Sequence, residues 1–254
     1  NTAVGYNSLT ANTTGHSNVA VGSLALDANT TGHSNTAVGH LSLSGETTGV
    51  RNTALGFHAG QVQNGADDNV WVGYQCGLSN TTGEYNVGVG KDVLRLNTTA
   101  DANTAVGYQS MVANTTGNSI TAVGYQSVRA NTTGTNATGI GYAALYSNTT
   151  GDHNTAVGLQ SSYSNTTGQD NTSVGVNSLR LNTTGNDNTA IGRNALENAT
   201  TASNNTAVGN EALIQNTTGA NNTAVGSNAL DAITTGNNCV AIGHDALTNS
   251  TGGS

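Results

Sequence analysis

The chain has 254 residues, 34 of them glycine and none proline, and a formal net charge of −8. Only 8% of residues are charged and 4% aromatic, against 35% hydrophobic. That is too little charge for an ordinary disordered chain and too little apolar material for a three-dimensional core. Six lysines and arginines make no phosphate-tracking surface, which argues against nucleic acid as a partner. No run approaches the roughly 18 apolar residues of a membrane span, so no membrane insertion is expected.

An internal period settles the organisation. A 17-residue unit recurs fifteen times, starting at Asn1, Asn18, Asn35, Asn52, Asn69, Asn86, Asn103, Ile120, Ala137, Asn154, Asn171, Asn188, Asn205, Asn222 and Cys239. The consensus is N-T-A-V-G-Y-x-S/A-L-x-x-N-T-T-G-x-x, and the last unit is one residue short. Residues 1–254 thus read as a single repeat array. The chain opens at Asn1 already in phase and without a signal-peptide pattern, which predicts a segment of a longer protein.

Within each unit, positions 1–4 form the first predicted strand. Position 2 is Thr or Val, and position 4 is Val, Ile or Leu, as in Thr2 and Val4. These two share one face of a strand, and their β-branched side chains suit a half-buried pleated surface. We expect that face to point inward. Position 3, nearly always Ala, and the small position 8 (Ser8, Ala25, Ser42, Ala59, Cys76, Val93) then form the surface that meets a partner chain.

Position 5 is Gly in every unit: Gly5, Gly22, Gly39, Gly56, Gly73, Gly90, Gly107, Gly124, Gly141, Gly158, Gly175, Gly192, Gly209, Gly226 and Gly243. An unbroken glycine column predicts a turn with positive φ or a backbone approach with no room for Cβ. A second strand is predicted near positions 7–10, carrying Leu at position 9, as in Leu9, Leu26, Leu94, Leu145 and Leu247. The N-T-T-G stretch closes the coil as a turn. A glycine every eight to ten residues and the lack of an i, i+3, i+4 apolar pattern exclude helix. The predicted fold is an all-β parallel β-solenoid, or β-roll, of about fifteen 17-residue coils with two short strands per coil. Thr2, Val4 and Leu9 give each coil so few inward groups that a face buried against other chains is expected.

The motif N-T-A-V-G-x-x-S/A, at Asn1–Ser8, Asn103–Ser110 and Asn222–Ala229, resembles the S-V-A-I-G-x-x-A/S repeat of trimeric autotransporter adhesin heads. Val240-Ala241-Ile242-Gly243 is nearest to it. The N-T-A-V-G and N-T-T-G arrays are also similar to those of bacterial and phage fibre proteins. The resemblance implies a left-handed parallel β-roll, three chains side by side, with Val and Ile inside each roll. The coil here is longer than in adhesin heads because of the N-T-T-G turn.

Candidate sites are few. Position 6 carries an aromatic stripe, Tyr6, Phe57, Tyr74, Tyr108, Tyr125 and Tyr142, which is a candidate sugar- or receptor-contacting surface or a cover for the glycine backbone. The N-T-T turns are glycosylation sequons at Asn12, Asn29, Asn80, Asn97, Asn114, Asn131, Asn148, Asn165, Asn182 and Asn216. The six histidines (His16, His33, His40, His58, His153 and His244) fall in separate coils, and His16 with His33 share a column without completing a metal site. Asp67, Asp68, Glu84 and Asp101 lie in turns without paired-carboxylate spacing. Cys76 and Cys239 are ten coils apart, about 45 Å at ~4.8 Å per coil, too far to bridge. No catalytic residue, metal or cofactor is expected.

The sequence therefore predicts a structural or adhesive module, extracellular or at a cell surface. Its partners would be copies of itself, as a homotrimer or an end-to-end polymer, and a host-surface or glycan receptor. The filament is the alternative reading, favoured by the lack of a recognisable polar cap. An ice-binding solenoid is the weaker third, because positions 2 and 4 are taken to face inward.

Overall fold

The computed structural model describes residues 1–250, and among these described residues there are fifteen strands and no helix. It divides into two compact units, one comprising Asn1–Gln126 with Asn131–Thr133, the other Ser127–Ala130 with the chain from Gly134 on. In the first unit, β1 (Thr2–Val4) to β8 (Thr121–Val123) pair in parallel in chain order. In the second, β9 (Thr138–Ile140) to β15 (Val240–Ile242) do the same. The register is invariant. Thr155 faces Thr172 and Val157 faces Val174, each pair one 17-residue repeat apart. The expected parallel β-solenoid is the observed fold. The closing turn of the last repeat, residues 251–254, lies outside the described residues.

Each coil contains one three-residue strand, not two. The second segment is a run of turns because positions 7 and 9 adopt the left-handed conformation, as at Asn177 (φ 56°) and Leu179 (φ 51°), and position 17 does so at Asp187 (φ 56°). Extended backbone is impossible there. Position 17 is accordingly rich in Asn, Asp and Ser, which tolerate this region, whereas the leucines at position 9 occupy it at a cost of roughly 1–2 kcal/mol. Burial of the leucine, worth about 1.5–3 kcal/mol, offsets that cost.

Hydrogen bonds between coils nonetheless run all the way round. Between the tenth and eleventh coils, the amides of Thr155, Ser162, Ser164 and Thr166 donate forward to the carbonyls of Asn171, Ser178, Arg180 and Thr183. Those of Gly175, Asn177 and Asp187 donate back to Val157, Leu159 and Gln169 (2.8–3.1 Å). The position-5 glycines fit this stack for the reason expected of them. Gly175 has φ +134°, and a Cβ built on it would lie 2.5 Å from the carbonyl oxygen of Gly192.

The interior reverses the expected facing. Between the first and last coils the position-3 alanines are buried, for example Ala20, Ala105 and Ala207, together with the small residue at position 8 and the leucine at position 9. Positions 2 and 4 face outward, and Leu55 and Ile191 remain 49% and 40% exposed. A narrow coil already holding a leucine and two asparagines leaves space for a methyl group at position 3, not for a branched side chain.

The fifth coil shows how tightly volume is allotted. Trp71 replaces Ala at position 3 and is fully buried. Glycine replaces leucine at position 9 in the fourth and fifth coils, where a Cβ on Gly60 would meet the indole Cδ1 at 2.6 Å and one on Gly77 would strike Cδ2. Position 3 of the sixth coil is also glycine, Gly88, whose Cβ would lie 3.0 Å from indole Cε3. The indole Nε1 donates to Gln63 Oε1 at 2.8 Å. Trp71→Ala is expected to cost about 3–5 kcal/mol. Trp71→Ala/Gly77→Leu, which restores the consensus pair, should recover part of that loss in a chemical-denaturation double-mutant cycle.

Candidate functional surfaces

The outward strand face is the most distinctive surface. Positions 2 and 4 carry only Thr, Val, Ile or Leu in all fifteen coils. The side chains repeat at ~4.8 Å from coil to coil and ~6.7 Å along each strand. In the first unit Val89 and Val123, and in the second Val174 and Val225, are each more than a third exposed. An uncharged, β-branched face left open in this way is unusual for a surface strand.

The aromatic stripe is present, with its six members all exposed. Its geometry determines what it can bind. Phe57 and Tyr74 stack at 5.5 Å with planes 4° apart, and Tyr108 and Tyr125 at 5.3 Å and 17°. Lys91 Nζ sits 5.5 Å from the Tyr74 ring and 5.8 Å from that of Tyr108. From Phe57 to Tyr125 the ring faces on which a sugar would stack are therefore turned toward one another or toward Lys91, leaving edges and hydroxyls outward. A second column, at position 10 and not singled out from the sequence, places Arg129 over Tyr146 at 5.5 Å and stacks Tyr146 on Tyr163 at 5.0 Å.

The sequon asparagines face into the coil. Asn29, Asn80, Asn97, Asn114, Asn131, Asn148, Asn165, Asn182 and Asn216 are buried, and Asn12 of the first coil is half-buried. Asn97 Nδ2, the atom that would carry a glycan, donates to Asn80 Oδ1 at 2.8 Å and to the Ala100 carbonyl at 3.1 Å. Asn165 repeats this on Asn148 and Gly168 in the second unit. A glycan at any of the nine buried positions is incompatible with the folded coil. Position 1 makes a second ladder, in which the Asn35 amide N–H donates to Asn18 Oδ1 at 2.9 Å and Asn35 Nδ2 to the Gly49 carbonyl at 2.8 Å.

The titratable groups serve the stack. Asp67 Oδ1 accepts from the Val50 amide, Asp101 Oδ1 from Glu84, Asp152 Oδ1 from Thr135 and Asn237 Oδ1 from Ala220, all at 2.7–2.8 Å. An oxygen at position 16 thus caps the same amide one coil earlier. Arg51 grips Asp68 through two bonds of 2.6 and 2.8 Å, and its hydrogen bond holds the Asp68 carboxyl below the usual range. Burial, then Asp67, Asp101 and Asp68, push the Glu84 carboxyl up. His16 and His33 stack at 4.7 Å, and His153 and His244 lie 3.3 and 2.9 Å from Asp170 and Asp245. His40 and His58 border Phe57. Among the described residues no group of three or more His, Cys, Asp or Glu side chains is placed to hold a metal ion.

No protein-family model matches the chain, and neither does any curated protein or solved structure.

Two outcomes follow from these surfaces. Ala220 offers no oxygen at position 16 to the Ser203 amide, so Ala220→Asn should stabilise the chain by about 0.5–1.5 kcal/mol, read from the denaturation midpoint. Both cysteines are thiols, and burial pushes the Cys76 thiol up to about 12. Iodoacetamide applied to the folded chain near neutral pH should therefore label half-buried Cys239 and spare Cys76, as peptide mapping would show.

Proposed function

We propose that this chain is a non-catalytic structural module of an extracellular or cell-surface fibre or adhesin, and that it works by packing the outward strand faces of its copies together. The observation that carries this reading is the unbroken, uncharged column of Val, Ile and Leu at position 4, held outside the coil. A surface with a fixed coil repeat is matched in register by another surface with the same repeat, and a second copy supplies that match. The likeness of N-T-A-V-G-x-x-S/A to adhesin-head repeats supports a homotrimer. Here the Val and Ile side chains face outward, where the resemblance implies an inward facing, so in a trimer of this chain they would lie between chains and the alanines within them. Receptor contact would then fall to the position-6 and position-10 columns.

Val89→Lys/Val225→Lys puts one charge on the face of each unit while leaving the interior intact. Native mass spectrometry of the wild type should give a closed oligomer, with a trimer expected, and the double variant should give monomers with an unchanged circular dichroism spectrum. A monomeric wild type would overturn the proposal.

The outward facing of positions 2 and 4 also favours a second reading. Thr and Val in two regular rows are an array on which water can order, as at an ice surface. Val replaces Thr at position 2 in four of the fifteen coils, which breaks the row of hydroxyls and ranks this reading second. A monomer that shows thermal hysteresis would place it first.

A further inference from the structure

The fourth coil departs from N-T-T-G and reads Gln63-Asn64-Gly65-Ala66, containing the sole Asn-Gly pair in the chain. Three groups converge on that pair. The buried Glu46 carboxylate accepts the Gly65 amide N–H through Oε1 at 2.7 Å. The same oxygen accepts from Gly49 at 2.6 Å, and Oε2 from Gln63 Nε2 at 3.1 Å, so the carboxylate is fixed in place. Thr47 Oγ1 donates to Asn64 Oδ1 at 2.5 Å. Both bonds are diverted from their usual partners. In most coils the position-14 amide donates to the next coil's position-13 carbonyl, as Thr31 does to Thr47, and the position-13 hydroxyl donates to that carbonyl, as Thr30 does; the Thr48 amide of the third coil instead donates to Glu46 Oε1 at 3.2 Å. Asn64 and Gly65 are themselves exposed, and Gly65 sits at φ +75°, where its missing Cβ leaves the amide unobstructed.

We propose that Asn64-Gly65 is a self-modifying site at which the chain forms a succinimide and then aspartate or isoaspartate. The Gly65 nitrogen attacks Asn64 Cγ and gives its proton to the Glu46 carboxylate. The carbonyl electrons move onto Oδ1, where the Thr47 hydroxyl stabilises the developing charge. Collapse of that intermediate breaks the Cγ–Nδ2 bond, and Glu46 returns the proton so that ammonia leaves. Water then opens the five-membered ring at either carbonyl. The sum is asparagine plus water giving aspartate or isoaspartate plus ammonia, with no oxidant or other co-reactant. Glu46 is within the reach a general base needs. Isoaspartate would add a main-chain atom to a coil whose register is otherwise fixed, and it would do so beside Gln63, the hydrogen-bond partner of buried Trp71.

The test is the appearance of aspartate and isoaspartate at position 64, followed by peptide mapping during incubation of the whole chain at neutral pH. Wild-type chain is compared folded and in urea. Folded chain should convert faster than unfolded chain, and Glu46→Gln should slow the folded rate on the order of 10²-fold. Thr47→Val, which leaves the carboxylate in place, should slow it by less. An unfolded chain that converts as fast as the folded one overturns the proposal whatever the variants do, because local sequence alone would then explain the rate. A folded Glu46→Gln chain that converts at the wild-type rate also overturns it.

Discussion

The constraint behind everything else is the close stacking of one coil on the next. A carbonyl oxygen lies 2.5 Å from where a Cβ on Gly175 would be, and bonds of 2.8–3.1 Å run round the whole circumference of the coil. Such a stack allows no local change of register, so every inward position must be compatible with its counterparts one repeat above and below. The glycine column, the two asparagine ladders and the position-16 caps are separate answers to that single demand. Each places an atom that either donates to the adjacent coil, accepts from it, or is absent to make room. The asparagines matter most among these, because a coil this narrow has little apolar surface and satisfies its interior by hydrogen bonds instead.

Much of this was legible in the residues. The period of 17, the invariant glycine and the strand at positions 2–4 all follow from the repeat itself. The facing of that strand did not follow, because alternation tells which residues share a face and leaves open which face is inside. Hydrophobicity pointed inward for the position-4 valines, whereas volume decided for the position-3 alanines such as Ala20. The sequence did hold the deciding signal, in its exceptions. Where position 3 enlarges to Trp71, position 9 shrinks to Gly60 and Gly77. Where position 3 is Ser173, position 9 is Ser162, and their hydroxyls meet at 2.8 Å. Where position 3 is Gly139, a Cβ there would lie 2.5 Å from Val128 Cγ2. Positions that compensate one another in size and polarity share an interior.

Two further features were hidden for different reasons. The N-T-T-G asparagine reads as a surface turn residue because Asn is common there, and nothing local distinguishes it from an inward amide that bonds its own turn and the coil below. The absence of a second strand was concealed by leucine, which rarely adopts positive φ and so signals extended backbone at position 9. The Asn, Asp and Ser of position 17 gave the left-handed conformation away more openly. The stacked rings of position 6 were visible as a column, but only the interplanar angles show that their faces are turned on one another.

The reversed facing bears directly on what the chain is for. A solvated solenoid gains nothing from placing Val, Ile and Leu outside and Asn inside, since each exposed aliphatic forgoes burial that a threonine or serine would not require. The arrangement is consistent across coils that otherwise vary freely: position 10 ranges from Arg to Tyr to Asp, whereas position 4 never leaves the aliphatic set. Strand propensity favours β-branched residues at this position, but it would admit threonine as readily as valine and so does not by itself explain the aliphatic restriction. The packing of copies proposed above would account for it, since a matching surface with the same coil repeat would bury the valine side of each strand as the coil already buries the alanine side.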